Sequence, residues 1–136
     1  SQISATVSSM STSRLLKILV AEDEALLALD MELSLGDLGI ICVVAATLSE
    51  AIALAEGHQF DAAVLDICLG KEDSFPAAQV LQRRSIPFLF HSGHAMRSEV
   101  EREFPGVTLL SKPVTFSRIH SEIMKLGGRK GLGEAI

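Results

Sequence analysis

Tryptophan and tyrosine are absent from this 136-residue chain, and phenylalanine occurs six times. With so few aromatic rings, a core has to be filled by Leu, Ile, Val and Ala, which suits a parallel sheet covered by helices on both faces. Cysteine occurs twice, as Cys42 and Cys68. Both lie in apolar sequence and read as small buried hydrophobes of a reducing, cytoplasmic environment, although the sequence alone leaves a disulfide open. No uninterrupted apolar run approaches the roughly 18 residues that a membrane-spanning helix requires. Residues 1–13 are rich in Ser and Thr and lack the hydrophobic block of a secretory signal, with Met10 a candidate start. Cations are scarce as well: 12 Lys and Arg stand against 17 Asp and Glu, a formal net charge of −5. That balance argues against direct nucleic-acid binding, which depends on clustered Lys and Arg.

What is present is apolar residue, at 48% of the chain, far above what a disordered segment carries. The length suits one domain, expected over residues 15–126 between a disordered tail (1–14) and a flexible glycine-rich end (127–136). Short apolar runs alternate with helical patterns. Lys17 to Ala21, Ile40 to Ala45, Asp61 to Ile67, Pro87 to Ser92 and Val107 to Ser111 read as five strands. Helices are expected from Glu24 to Leu38, with an apolar face of Leu26, Leu27, Met31, Leu33 and Leu35, and with Gly39 as terminator. Others follow over Ser49 to Gly57, with Ser49 as cap, and over Ser74 to Arg84, where Pro76 fits only in the first turn. The last two run from His94 to Phe104, with a thin stripe of Met96, Val100 and Phe104, and from Thr115 to Leu126, with Phe116, Ile119, Ile123 and Leu126 on one face. Five βα units in about 110 residues predict an α/β fold, an open, doubly wound parallel sheet with right-handed crossovers. Such sheets bind ligands at the carboxyl ends of their strands.

Those ends carry the chemistry. The first strand ends in Glu22-Asp23, the third in Asp66, the fourth in Ser92 and the fifth in Lys112-Pro113. Taken singly, each is ordinary: an acidic pair is usually a turn or a cap, and Lys-Pro is common loop sequence. Together they gather three carboxylates, a hydroxyl and an ammonium on one sheet edge. Hard oxygen ligands suit Mg²⁺, with Asp23 and Asp66 supplying two and the Cys68 backbone carbonyl a third. With the cation present Asp66 becomes a workable nucleophile toward a phosphoryl group, while Lys112 and the Ser92 hydroxyl meet phosphoryl oxygens.

The segments ILVAEDEALL, AAVLDICLG, FLFHSGHA and LLSKPV resemble the motifs of the receiver domain of two-component response regulators, over about residues 15–126. The resemblance implies a flavodoxin-like sheet of order 2-1-3-4-5 and a stand-alone, chemotaxis-regulator-like receiver. By it Asp66 is the phosphoacceptor, Asp23 the main metal-binding carboxylate and Glu22 its supporting partner. Ser92 is the switch hydroxyl and Lys112 the phosphoryl-binding lysine, followed by a cis-proline candidate, Pro113. The implied activity is acceptance of a phosphoryl group from a sensor histidine kinase or a histidine phosphotransfer protein, with Mg²⁺. The signal then passes to a downstream protein, with a homodimer left open. Such a chain is a phosphoacceptor that assists its own phosphorylation and dephosphorylation, and otherwise not an enzyme.

Two features depart from the family. Its frequent aromatic, three places before the lysine, is here Leu109. Phe90-His91-Ser92-Gly93-His94-Ala95 is similar to a degenerate Phe-Ala-Thr-Gly-hydrophobic-Tyr motif, with His91, His94 and Ala95 departing. His91 and His94 have a spacing seen in zinc sites, but residues three apart leaving a strand face opposite sides. His58 and His120 read as helix-surface residues, and Gly127 to Gly133 lacks the Lys-Ser/Thr of a phosphate loop. The rival readings are a Mg²⁺-dependent phosphohydrolase with an Asp nucleophile, and a pseudo-receiver that never takes phosphate. Phosphohydrolases of that kind place the nucleophile after strand one with a second Asp two residues on, where this chain has Cys68.

Overall fold

The fold is that of a computed structural model, which describes residues 15–93 and 96–129. Five parallel strands form one sheet: β1 (Leu16–Ala21), β2 (Ile40–Ala45), β3 (Ala62–Asp66), β4 (Phe88–Ser92) and β5 (Leu109–Ser111), in the spatial order β2-β1-β3-β4-β5. The helices are α1 (Ala25–Gly36), α2 (Leu48–Gly57), α3 (Phe75–Arg83), α4 (Arg97–Glu103) and α5 (Phe116–Arg129). The predicted doubly wound α/β architecture and its 2-1-3-4-5 order are what the chain adopts.

Alternation along the strands sorts the core into two layers. Leu19, Ala21, Ala63, Leu65, Phe88 and Phe90 pack on one face with α2, α3 and α4. Ile18, Val20, Ala62, Val64 and Leu89 pack on the other with α1 and α5. β3, covered on both faces, is buried at all five positions, which is why its sequence runs nearly without polar residues until Asp66. Its entry is pinned by Asp61, whose Oδ2 accepts from the Lys17 backbone N–H at 2.8 Å. α1 stops at Gly36, short of the expected Leu38, and Gly39 closes the turn into β2 with a φ of +87°, the left-handed conformation that glycine adopts without a Cβ penalty.

Several expectations are corrected. Only Ala28, Met31 and Leu35 of α1 are buried, while Leu26 and Leu33 are 79% and 60% exposed, so the inward face is narrower than the leucine count suggests. The cap of α2 is Thr47, not Ser49. Its side chain accepts from the Glu50 N–H at 3.2 Å and Glu50 reaches back to the Thr47 N–H, a reciprocal pair that satisfies two orphan donors. α4 begins at Arg97, three residues later than expected, and residues 94–95 lie outside the described residues. α5 continues past Leu126 to Arg129, where a flexible end is predicted; the remaining tail residues, 1–14 and 130–136, are likewise outside those described.

A feature not foreseen lies between β3 and α3. Cys68–Leu69 pairs antiparallel with Glu72–Asp73, a two-rung hairpin turning at Gly70, whose φ is +64°. Asp73 Oδ1 then accepts from the Phe75 N–H at 3.0 Å and caps α3, with Pro76 in its first turn as predicted. Cys68 is consequently half-buried beside the sheet edge, whereas Cys42 is buried as expected; both are free thiols. Burial pushes the Cys42 thiol up to about 12. His58 is exposed, at the carboxyl cap of α2, and His120 is half-buried on α5.

Candidate functional site

Asp23, Asp66 and Lys112 meet in one cleft of about 230 Å³, walled also by Glu24, Cys68, Gly70 and Gly93, with Glu22 joined to it through Lys112. Parallel register sets this up. β1 and β3 run side by side with Ala21 opposite Leu65, so Glu22-Asp23 and Asp66 leave the sheet at neighbouring points. Asp66 lies opposite His91 in β4, and Ser92 opposite Ser111 in β5, one residue before Lys112.

Lys112 is the hub. Its Nζ donates to Asp66 Oδ2 at 2.7 Å and to Glu22 Oε1 at 3.1 Å, and lies 3.6 Å from Glu24 Oε1. Its backbone N–H donates to the Ser92 carbonyl at 2.8 Å, and the Lys112–Pro113 bond is cis, as the resemblance implies. Burial alone would depress the ammonium, but the hydrogen bonds and charges of Asp66 and Glu22 hold its pKa above the ordinary lysine value. Lys112 therefore stays charged.

Each acidic side chain is anchored by backbone. Asp66, 5% exposed, accepts from the Cys68 N–H on Oδ1 at 3.1 Å. Asp23 Oδ2 accepts from the Gly70 N–H at 2.9 Å, across the foot of the hairpin. Glu22, 1% exposed, accepts from the Glu24 N–H on Oε2 at 3.0 Å. Burial raises the Glu22 pKa, opposed by the Glu24 amide and Lys112. One oxygen from each of Glu22, Asp23 and Asp66 lies within 4.8 Å of the others. At that spacing each ionised pair repels by roughly 3–4 kcal/mol for an effective dielectric near 20. One lysine among these carboxylates and Glu24 leaves the cleft net negative, the composition that a small hard cation fits.

Ser92 is buried at the end of β4, as expected. His94, half of the zinc reading, lies outside the described residues, and among those described the candidate metal-holding group is Glu22, Asp23 and Asp66 alone. Two participants escaped the sequence reading, and a third figured there only for its zinc-like spacing. Glu24 flanks Lys112, and the Gly70 amide orients Asp23; neither announces itself without the fold. His91 is the third. It is 1% exposed, with Nε2 3.6 Å from Glu22 Oε1 and without a hydrogen-bond partner. Strand alternation was the available signal, since it sets His91 on the face of Leu89, behind the acidic cluster, and opposite to Phe88 and Phe90. Burial holds its pKa down at about 4, below the ordinary 6.5, so the ring is neutral at neutral pH.

Known proteins are similar to this chain in sequence and in fold. The response regulator receiver domain family matches residues 18–124. Transcriptional regulatory protein PdtaR of Mycobacterium tuberculosis is 31% identical over 105 residues, covering 74% of this chain and 51% of PdtaR, so the chain spans about half the length of that relative. A response regulator receiver protein from Sinorhizobium medicae superposes with a TM-score of 0.76 at 28% identity, covering 90% of this chain and 98% of that one. The receiver domain of sensor histidine kinase PA1611 from Pseudomonas aeruginosa, solved with a magnesium ion coordinated in its active-site cleft, shares the fold. Its TM-score is 0.71 at 23% identity, over 83% of this chain and 98% of that one. On the strength of the family match over most of its length, this chain belongs to the response regulator receiver domains.

Proposed function

We propose that Asp66 accepts a phosphoryl group from a sensor histidine kinase or a histidine phosphotransfer protein, and that the domain then signals to a partner protein. The observation that carries this reading is the 2.7 Å contact of Lys112 Nζ with Asp66 Oδ2 inside a cluster of three converging carboxylates. In the transfer, an Asp66 oxygen forms a bond to phosphorus as the donor's N–P bond breaks, and the imidazole leaves with the electron pair. Lys112 is already placed to take up negative charge on the transferred group. The Ser92 hydroxyl, at the end of the adjacent strand, supplies a further donor.

The donor set fits Mg²⁺. Glu22, Asp23 and Asp66 offer hard oxygens, with the Cys68 backbone carbonyl as a further ligand, and the PA1611 receiver, which shares the fold, has a magnesium ion coordinated in its active-site cleft. The cation, when bound, neutralises charge on the carboxylates and on the incoming phosphoryl oxygens. The acidic surplus and the absence of a helix long and apolar enough to cross a membrane, among the described residues, agree with a cytoplasmic protein that contacts other proteins rather than nucleic acid. The domain acts as a phosphoacceptor that promotes its own modification, and homodimerisation is compatible with this.

Switching is assigned to the stretch from Ser92 through α4. Leu109 removes the aromatic lever, but Phe90, two residues before Ser92, packs against Phe104 at the end of α4 with ring centroids 5.5 Å apart. A Ser92 that moves toward phosphate pulls on that stack. One assay separates this function from its rivals. With a small-molecule phosphodonor and Mg²⁺, a receiver forms a base-labile acyl phosphate, a phosphohydrolase turns over p-nitrophenyl phosphate, and a scaffold does neither.

A further inference from the structure

A second cavity, of about 360 Å³, lies behind the acidic cleft. Its apolar walls come from α1 (Leu27, Met31), from α5 (Phe116, Ile119) and from the Pro113–Val114 segment that joins β5 to α5. Two residues of the functional centre complete it. Lys112 also walls the acidic cleft, and His91 packs against Glu22. The two hollows thus share one residue, Lys112, whose ammonium is paired with Glu22.

We infer that this cavity is a binding site for a small, neutral aromatic molecule of phenol to naphthol size. Its volume falls within the ordinary range of ligand pockets, about 300–1,000 Å³, and such pockets are mostly apolar with a few convergent polar groups. The Met31 thioether and the Phe116 ring make favourable contacts with an aromatic guest. Charge on the guest is disfavoured on both signs. A cation would meet Lys112, and an anion would give up its hydration among apolar walls, where the Lys112 ammonium is already committed to Glu22 and Asp66. A buried imidazole nitrogen without a partner is uncommon in a folded protein and calls for an explanation. A small shift of the ring on ligand entry lets a guest hydroxyl or carbonyl satisfy it.

The shared wall couples the two sites. A guest pressing on the Lys112 stem and on the back of His91 biases the Lys112–Glu22 pair, so its affinity depends on what occupies the acidic cleft, and the dependence is reciprocal. The domain would then integrate a diffusible aromatic signal with phosphorylation. Binding itself is independent of the phosphoacceptor reading, because it is measured on unmodified, metal-free protein.

The test uses 2-naphthol as the probe, followed by methyl NMR on the whole chain. Saturable shifts are expected in Leu27, Met31, Val114 and Ile119. Filling the cavity from its half-buried rim, with Leu27→Trp or separately with Val114→Phe, should weaken binding at least about tenfold. His91→Phe, which keeps a ring but removes the nitrogen, should weaken it severalfold while the apolar shifts persist. Adding beryllofluoride with Mg²⁺ should then change the naphthol affinity. No saturable shift up to the solubility limit would overturn the proposal. So would shifts confined to other residues, or shifts that both filled and folded variants leave unchanged.

Discussion

The two faces of the sheet are built from different materials. The face covered by α2, α3 and α4 holds five of the six phenylalanines, Phe60, Phe75, Phe88, Phe90 and Phe104. Four of them, Phe75, Phe88, Phe90 and Phe104, form an edge-to-face cluster with centroids 5.2–5.6 Å apart. Beside it α2 and α3 meet through the small residues Ala51, Ala55, Ala77 and Ala78, and Arg84 donates to the carbonyls of Ala55 and His58 to brace their ends. The face covered by α1 and α5 is aliphatic apart from Phe116, contains a cavity, and carries buried polar groups, His91 and Glu22, at its upper end. The difference teaches a division of labour. The aromatic face joins β4 to the end of α4 through ring contacts, while the aliphatic face carries His91 and Glu22 beside a cavity.

The largest effect should come from breaking the aromatic face. Phe104→Ala is expected to lower stability by about 3–5 kcal/mol, because the ring is fully buried and packs against three others, Phe75, Phe88 and Phe90. Phe116→Ala on the opposite face should cost only about 1–2 kcal/mol, since its ring is half-buried and adjoins a cavity already present. Urea unfolding of both variants checks the contrast, and equal losses would erase it.

The aliphatic face should reveal itself through pH. Above pH 6.5 His91 is neutral in both folded and unfolded chains. As pH falls from 6.5 toward 4, the unfolded chain takes up a proton that the buried ring refuses, so stability is lost. Across that window the loss attributable to His91 is about 3 kcal/mol. It is read as the difference between the acid unfolding profiles of the wild type and His91→Leu, with the variant expected to be flatter.

A smaller effect is expected from the cation. Mg²⁺ should raise thermal stability, by about 1.4 kcal/mol at ten times its dissociation constant, because the unfolded chain has no assembled site. Asp23→Ala should remove that response and stabilise the metal-free protein by relieving repulsion. A melting temperature that still rises with Mg²⁺ in Asp23→Ala would show that the carboxylate is not a ligand. Smallest in free energy is the switch. Hydrogen exchange with beryllofluoride should alter protection most over residues 92–104 and β5, and a response centred on α2 instead would separate the switch from the aromatic cluster.

The legible parts of this molecule were those fixed by local pattern. Strand runs such as Ile40 to Ala45, the first-turn Pro76 and the residues at strand ends follow from periodicity and chain chemistry, and the family motifs added the sheet order. What was not legible depends on contacts distant in sequence. Leu26 and Leu33 look identical to Leu35 in a helical pattern, and the way α1 lies against the sheet and α5 decides which of them is covered. The hairpin at Gly70 is held partly by Asp23, 47 residues away. Thr47 rather than Ser49 is the cap because Glu50 reciprocates, a pairing that the stretch Thr47-Leu48-Ser49-Glu50 carries in its spacing. His91 was noticed for its spacing to His94, whereas its burial beside Glu22 follows from strand alternation.

The central claim, that Asp66 is the phosphoacceptor, is tested most directly by intact-mass analysis after incubation with phosphoramidate and Mg²⁺. The wild type should gain a single phosphoryl group that is lost when Mg²⁺-dependent hydrolysis proceeds, and Asp66→Asn, folded by circular dichroism, should gain none. A phosphoryl adduct on Asp66→Asn would contradict the assignment.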